Sequence, residues 1–269
     1  MAEGVTFLDT AEIYGNGASE RIIGQMLREG GFEGTPVIAT KFAPLPYRFS
    51  AKSLLDAVDK SLERLGIETI DLYQIHFPNP IFKISSLMDA LAETVKAGKV
   101  RRVGVSNYGA DQMKRAHDRL ASYGVSLASN QVEYSLLRRA PETNGVLEAS
   151  RDLGVTLIAY SPIAKGLLTG KYAPGGDRPA GLVRRMGRTF GEQNLKKVEP
   201  VLNILREIGE AHNKQPTQVA LNWLITQRST FPIPGAKNEL QAHQNAGALG
   251  WEMTSEEGEK LELATLGWR

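Results

Sequence analysis

The sequence predicts an α/β chain of the (β/α)8 TIM-barrel class, incomplete with seven strands and forming a single domain over residues 1–269. Three features point to it. Apolar runs of strand length alternate with helix-patterned segments along the chain. The strand-to-strand period of roughly 25–35 residues suits a parallel sheet with right-handed crossovers. No strand is followed by G-x-G-x-x-G, which sets aside a doubly wound dinucleotide fold.

The strands are expected at 5–9 (VTFLD), 36–41 (PVIATK), 69–76 (TIDLYQIH), 100–107 (VRRVGVSN), 126–131 (SLASNQ), 155–161 (VTLIAYS) and 230–235 (TFPIPG). Between the second and third, Leu54, Val58, Leu62 and Leu65 recur on one face of a helix, with Ser50 and Ser53 as candidate N-caps. No Pro/Gly/Ser-rich linker separates the elements. Seven strands do not close an eight-stranded barrel, and MAEG reads as the last turn of a helix running into Val5. One strand and helix, about 40 residues, are therefore expected to be missing ahead of it. Their loss would leave sheet edges at 5–9 and 231–235 open to self-association.

Composition excludes several function classes. A formal net charge of +2 gives no basic footprint for nucleic acid. The chain has no cysteine, and His76, His117, His212 and His243 are too dispersed for a local metal motif, so no metal site is expected. No apolar run is long enough for a membrane span, and MAEGVTFLDT resembles neither a signal nor a transit peptide. The chain as written is expected in the cytoplasm, or in a plastid if a transit peptide preceded the absent strand.

The chemistry is suggested by polar residues at successive strand tips: Asp9, Lys41 and His76. In a barrel the C-terminal strand ends surround one site. Each alone has an ordinary reading, as a helix N-cap, a surface charge or a satisfied interior histidine. Tyr14 follows Asp9 in the loop AEIYGNGAS, where Gly15 and Gly17 permit a turn. A phenol with pKa near 10 donates a proton more readily beside a cation, and Lys41 is the obvious cation. A buried ammonium needs a counter-charge, which Asp9 supplies. His76 can hydrogen-bond the same substrate oxygen.

The segments GVTFLDTAEIYGNGASE, VIATK, DLYQIH, VGVSN, SNQVEYSLL, IAYSPIAKGLLTGKY and IPGAKNELQAHQNAGAL resemble aldo-keto reductase motifs over nearly the whole chain. The resemblance implies a catalytic tetrad of Asp9, Tyr14, Lys41 and His76, with NADPH as cofactor and a small-molecule carbonyl compound as substrate. It implies that Ser106, Asn107 and Gln131 bind the nicotinamide carboxamide and that Tyr160 stacks on the ring. Ser161, Ile163, Ala164, Lys165, Gly166 and Leu167 resemble the family's loop over the pyrophosphate. They open an unusually long stretch, expected to act as a lid, whose Arg178, Arg184, Arg185 and Arg188 also have a plain reading as solvated charges. Lys237, Gln241, Gln244 and Asn245 have the spacing of one helical face able to grip an adenosine, with Lys237 on the 2′-phosphate, which favours NADPH over NADH. Many relatives carry an acidic residue where this chain has Gln244.

Four readings stay open: a competent reductase, a truncated isoform of weak activity, a non-catalytic NADPH-binding accessory subunit, and a Schiff-base aldolase using Lys41. Phe42, Phe77, Pro78, Tyr108 and Tyr134 are candidate pocket residues, pointing to apolar or aromatic carbonyls. The wording of several motifs is similar to plant-plastid and cyanobacterial members of pyridoxal-reductase type.

Overall fold

Side chains on a strand alternate between its two faces, so strand parity decides which residues meet the helices and which meet the site. A computed structural model describes residues 4–30, 34–45, 48, 50, 52–79, 83–172, 174–175 and 188–269. The strands are β1 (Phe7–Asp9), β2 (Val37–Phe42), β3 (Ile70–Ile75), β4 (Val100–Ser106), β5 (Leu127–Glu133), β6 (Thr156–Tyr160) and β7 (Thr230–Pro232). They form one seven-stranded sheet ordered β1 to β7, each near its expected position. The helices are α1 (Ala18–Glu29), α2 (Lys52–Leu65), α3 (Ile84–Lys96), α4 (Ala110–Ala121), α5 (Ala140–Thr143), α6 (Val146–Asp152), α7 (Glu192–His212), α8 (Pro216–Thr226), α9 (Glu239–Ala246) and α10 (Ser255–Thr265). The chain divides into two compact units, Met1–Val132 with Asn144–Ile158 and Glu133–Thr143 with Ala159–Arg269.

In the first unit β1 to β5 pair in parallel. The register aligns Asp9 with Ala39, Lys41 with Gln74, Gln74 with Gly104, Gly104 with Ser129 and Ser106 with Gln131. Paired residues share a face, so one face of the sheet carries Asp9, Lys41, Gln74, Ser106, Ser129 and Gln131. The other carries Ile38, Phe42, Tyr73, Ile75, Val103 and Val105, which join Leu54, Val58, Leu87, Leu91, Met113 and Leu120 from α2, α3 and α4 in one apolar cluster. Burial of this face favours folding of the first unit. Phe42 is therefore a core residue and not a pocket wall, because it follows Lys41 by one position and points the opposite way. Tyr108 joins the same cluster.

The α2 pattern holds, with Leu54, Val58 and Leu65 buried. Since α2 begins at Lys52, Ser53 lies inside the helix and is not its cap. Helix α1 sits so close to α2 that a Cβ on Gly24 would lie 2.6 Å from the Arg64 carbonyl oxygen. Fully buried Glu20 ties the pair to the sheet, accepting from Thr40 Oγ1 at 2.7 Å and Arg64 Nε at 2.6 Å.

In the second unit α7 packs with α8 and α10 over buried Leu195, Val198, Leu202, Leu205, Leu221 and Trp223. Tyr134 is buried too, its ring edge-on to Trp223 and its hydroxyl donating to Glu142 at 2.9 Å, so it does not line a pocket. Arg139, fully buried, is held by Glu142, Glu262 and Thr265. Among the described residues no helix is long and apolar enough to cross a membrane.

Candidate active site

The loop after β1 turns through Gly15 and Gly17, whose φ values of 58° and 81° suit glycine, and presents Tyr14. Its base is closed by Thr10 Oγ1 donating to Ser19 Oγ at 2.7 Å. Glu12, mostly buried, accepts from Ala43 N at 2.6 Å and from both terminal nitrogens of Arg48, which ties this loop to the one after β2.

Lys41, on the inner face of β2, is fully buried. Its Nζ donates to Asp9 Oδ2 at 2.5 Å and to the Thr10 carbonyl at 2.8 Å. Burial lowers the pKa of this ammonium, and the Asp9 carboxylate opposes that shift. The Tyr14 ring centroid lies 5.3 Å from Nζ and meets the His76 ring edge-on at 5.7 Å. Tyr14 stays 40% exposed, reachable by an incoming molecule.

His76 follows β3, and its Nδ1 is buried without a hydrogen-bond partner. Burial first, and the Lys41 charge second, lower its pKa from 6.5 to about 4. The ring is thus neutral at physiological pH. Between about 4 and 6.5 the unfolded chain takes up a proton at this residue that the folded chain does not. Its contribution therefore favours folding fully above 6.5 and is lost as pH falls toward 4. The expected result is that the His76 ring proton resonances stay fixed between about pH 5 and 8; a midpoint near 6.5 would contradict it.

The polar chain continues across β4 and β5. Gln131 Nε2 donates to Asp9 Oδ1 at 2.9 Å, and the Gln131 carbonyl accepts from Ser106 Oγ at 2.8 Å and Asn107 N at 2.9 Å. Asn107, at a left-handed φ of 61°, donates from Nδ2 to Ser106 Oγ at 3.0 Å and to the His76 carbonyl at 3.2 Å. Seven residues singled out in the sequence thus form one cluster in the first unit: Asp9, Tyr14, Lys41, His76, Ser106, Asn107 and Gln131.

The remaining candidates belong to the second unit. Tyr160 ends β6 half-buried. Three non-glycine residues of the following turn, Ser161, Ala164 and Lys165, have φ of 51°, 49° and 59°, and Gly166 has φ of 103°. For a non-glycine residue such backbone costs on the order of 1 kcal/mol, and strain of this kind clusters at ligand clamps. Arg178, Arg184 and Arg185 lie outside the described residues, as does the side chain of Arg188.

Lys237 is not on the helix: α9 starts at Glu239, with Asn238 as N-cap accepting from Gln241 N. Gln241 Oε1 instead accepts from the Lys237 backbone N–H at 2.9 Å, which holds the residue before the helix, and Asn245 Nδ2 reaches the Gly235 carbonyl at 3.4 Å. Lys237 is exposed and available to an anion.

Residues 1–264 match the family model described as the aldo/keto reductase family. The chain belongs to that family. The chloroplastic pyridoxal reductase of Arabidopsis thaliana is 38% identical to this aldo/keto reductase over 276 residues, covering 98% of this chain and 74% of the relative. The aldo-keto reductase yakc [NADP(+)] of Schizosaccharomyces pombe is 37% identical over 258 residues, covering 91% of this chain and 74% of its own. The crystal structure of an aldo/keto reductase from Klebsiella pneumoniae in complex with NADP and acetate superposes with a TM-score of 0.76 at 26% identity, covering 97% of this chain and 81% of that one. The α/β fold with seven parallel strands is thus the aldo/keto reductase (β/α)8 type.

Sequence reasoning missed two members of the inner face, Gln74 and Ser129. Gln74 reaches across Gly104, where a Cβ would lie 2.2 Å from Ser129 Oγ, and its Oε1 accepts from that hydroxyl at 3.2 Å. Both stand two positions before a residue that was singled out, His76 and Gln131, so strand parity was the available signal. Glu12 was missed because nothing local pairs a carboxylate with a guanidinium 36 positions away.

Proposed function

We propose that this aldo/keto reductase works as one catalytic domain reducing an aldehyde or ketone to the alcohol with NADPH, Tyr14 delivering the proton to the carbonyl oxygen. The observation that carries the reading is the buried Lys41–Asp9 pair beside the Tyr14 ring. Lys41 keeps a positive charge next to the phenol only while Asp9 balances it, and that charge makes the phenol a stronger acid. Neutral His76 orients the substrate oxygen through a hydrogen bond. Gln131, Ser106 and Asn107 hold the nicotinamide amide, the Ser161–Leu167 turn and Tyr160 hold the pyrophosphate and ring, and Lys237 with Gln241, Gln244 and Asn245 holds the adenosine phosphate end. When bound, NADPH supplies the hydride that adds to the carbonyl carbon. Likeness to the Arabidopsis thaliana enzyme favours an aromatic aldehyde such as pyridoxal as substrate.

The test is a titration of the chain with NADPH followed by nicotinamide fluorescence, with pyridoxal and then 4-nitrobenzaldehyde added to look for oxidation. Saturable binding with turnover supports the reductase. Binding without turnover points to a cofactor-binding accessory role, and a folded chain that binds nothing sinks the proposal. Lys237→Ala is expected to weaken NADPH by about tenfold and NADH by less than about twofold, because only the former offers a 2′-phosphate. Equal losses for both cofactors would remove Lys237 from that contact.

A further inference from the structure

Resting on the NADPH reading above, we infer that Lys214, Gln218 and Asn222 are positioning residues for the dinucleotide, clasping the C-terminal end of α9 and so setting where Lys237 and Gln241 stand. The last carbonyls of a helix have no partner within it and must find one elsewhere. Here three side chains meet one such carbonyl, that of Gln244, and three carbonyls of the segment just after the helix, which ends at Ala246. Lys214 Nζ donates to the Gly247 carbonyl, Gln218 Nε2 to the Gln244 carbonyl, and Asn222 Nδ2 to the Ala248 and Trp251 carbonyls, each at 3.0 Å. The Lys214 charge also suits the negative end of the helix dipole.

The clasp is built into the sequence. Asn222 is 2% exposed on α8, so its amide has no competing water. Gly247 leaves room for the Gln218 amide: a Cβ there would lie 2.0 Å from Gln218 Nε2. None of the three side chains is among those assigned to the dinucleotide.

The eight residues of α9 span about 12 Å. A tilt of about 5° at the clasped end would shift the other end by about 1 Å, enough to spoil a phosphate contact. At the opposite end, Asn238 Oδ1 accepts from Gln241 N and Gln241 Oε1 from Lys237 N, bonds that tie Lys237 to the helix. It therefore follows the clasp.

The experiment measures Kd for NADPH and for NADH by nicotinamide fluorescence on the full chain and on Asn222→Leu, Gly247→Ala and Gly247→Ala/Gln218→Ala. Circular dichroism at the titration temperature confirms that each is folded. Asn222→Leu is expected to raise Kd for NADPH about tenfold and Gly247→Ala several-fold, with the NADPH-over-NADH preference falling in both. The double variant should bind no more weakly than Gly247→Ala, because the alanine has already expelled the Gln218 amide. A general loss of packing would weaken both cofactors alike. If Asn222→Leu does not fold, the milder Gly247→Ala decides. Folded variants with unchanged Kd and unchanged preference would overturn the clasp while leaving the NADPH reading intact; a parent chain that binds no NADPH would overturn both.

Discussion

Tyr14→Phe is expected to lower the rate of carbonyl reduction about a thousandfold while leaving Kd for NADPH within about twofold. Phenylalanine keeps the ring that faces Lys41 Nζ at 5.3 Å and the edge contact with His76 at 5.7 Å, and removes only the hydroxyl. The loop that carries it is fastened by Thr10 to Ser19 and by Glu12 to Ala43 and Arg48, contacts that the substitution leaves in place. A loss of rate with Kd for NADPH unchanged reports proton donation and not a displaced backbone. Single-turnover oxidation of bound NADPH with 4-nitrobenzaldehyde reads it directly, and a rate within tenfold of the parent would remove Tyr14 from the role.

Asp9→Asn is expected to cost about a hundredfold and to move the alkaline limb of the pH–rate profile to lower pH. Both carboxylate oxygens are in use, Oδ2 accepting from Lys41 and Oδ1 from Gln131. An amide accepts at one of those positions and presents N–H at the other, donor against donor. With the carboxylate gone, burial acts on Lys41 with no nearby counter-charge, and the Thr10 carbonyl is its one remaining acceptor among the hydrogen bonds described above. The ammonium pKa is already below its ordinary value and drops further. A reaction that needs charged Lys41 fails as pH rises through that pKa, so activity should disappear earlier on the alkaline side. The profile of kcat against pH for parent and variant checks this, and an unmoved limb would mean that Asp9 does not sustain the Lys41 charge.

The strands were legible because each is a short apolar run bounded by helical periodicity, and all seven lie close to where the sequence puts them. Asp9, Lys41 and His76 stood out for the same reason, since a polar residue closing an apolar run is conspicuous; β5 instead runs two residues past Gln131, to Glu133. Residue type is a weaker guide than side-chain direction. Phe42 suggested an aromatic pocket wall, yet one step from Lys41 it must face the helices. The spacing of Lys237 with Gln241 suggests one helix face, yet the helix starts two residues later, and Asn238 followed by Gln241 is a readable cap. Glu20 with Arg64 and Arg139 with Glu262 look like ordinary charges on amphipathic segments, and only the folded chain brings partners 44 and 123 positions apart into contact.

The measurement that tests the central claim most directly is the fate of deuterium from 4-deuterated NADPH, offered with 4-nitrobenzaldehyde to the intact chain and read by mass spectrometry of the alcohol. A reductase places one deuterium on the carbinol carbon, from the cofactor, while the hydroxyl proton comes from solvent through Tyr14. Alcohol without deuterium from either C4 face of the cofactor, or no alcohol from a folded chain saturated with NADPH and tested also with pyridoxal, would contradict the account.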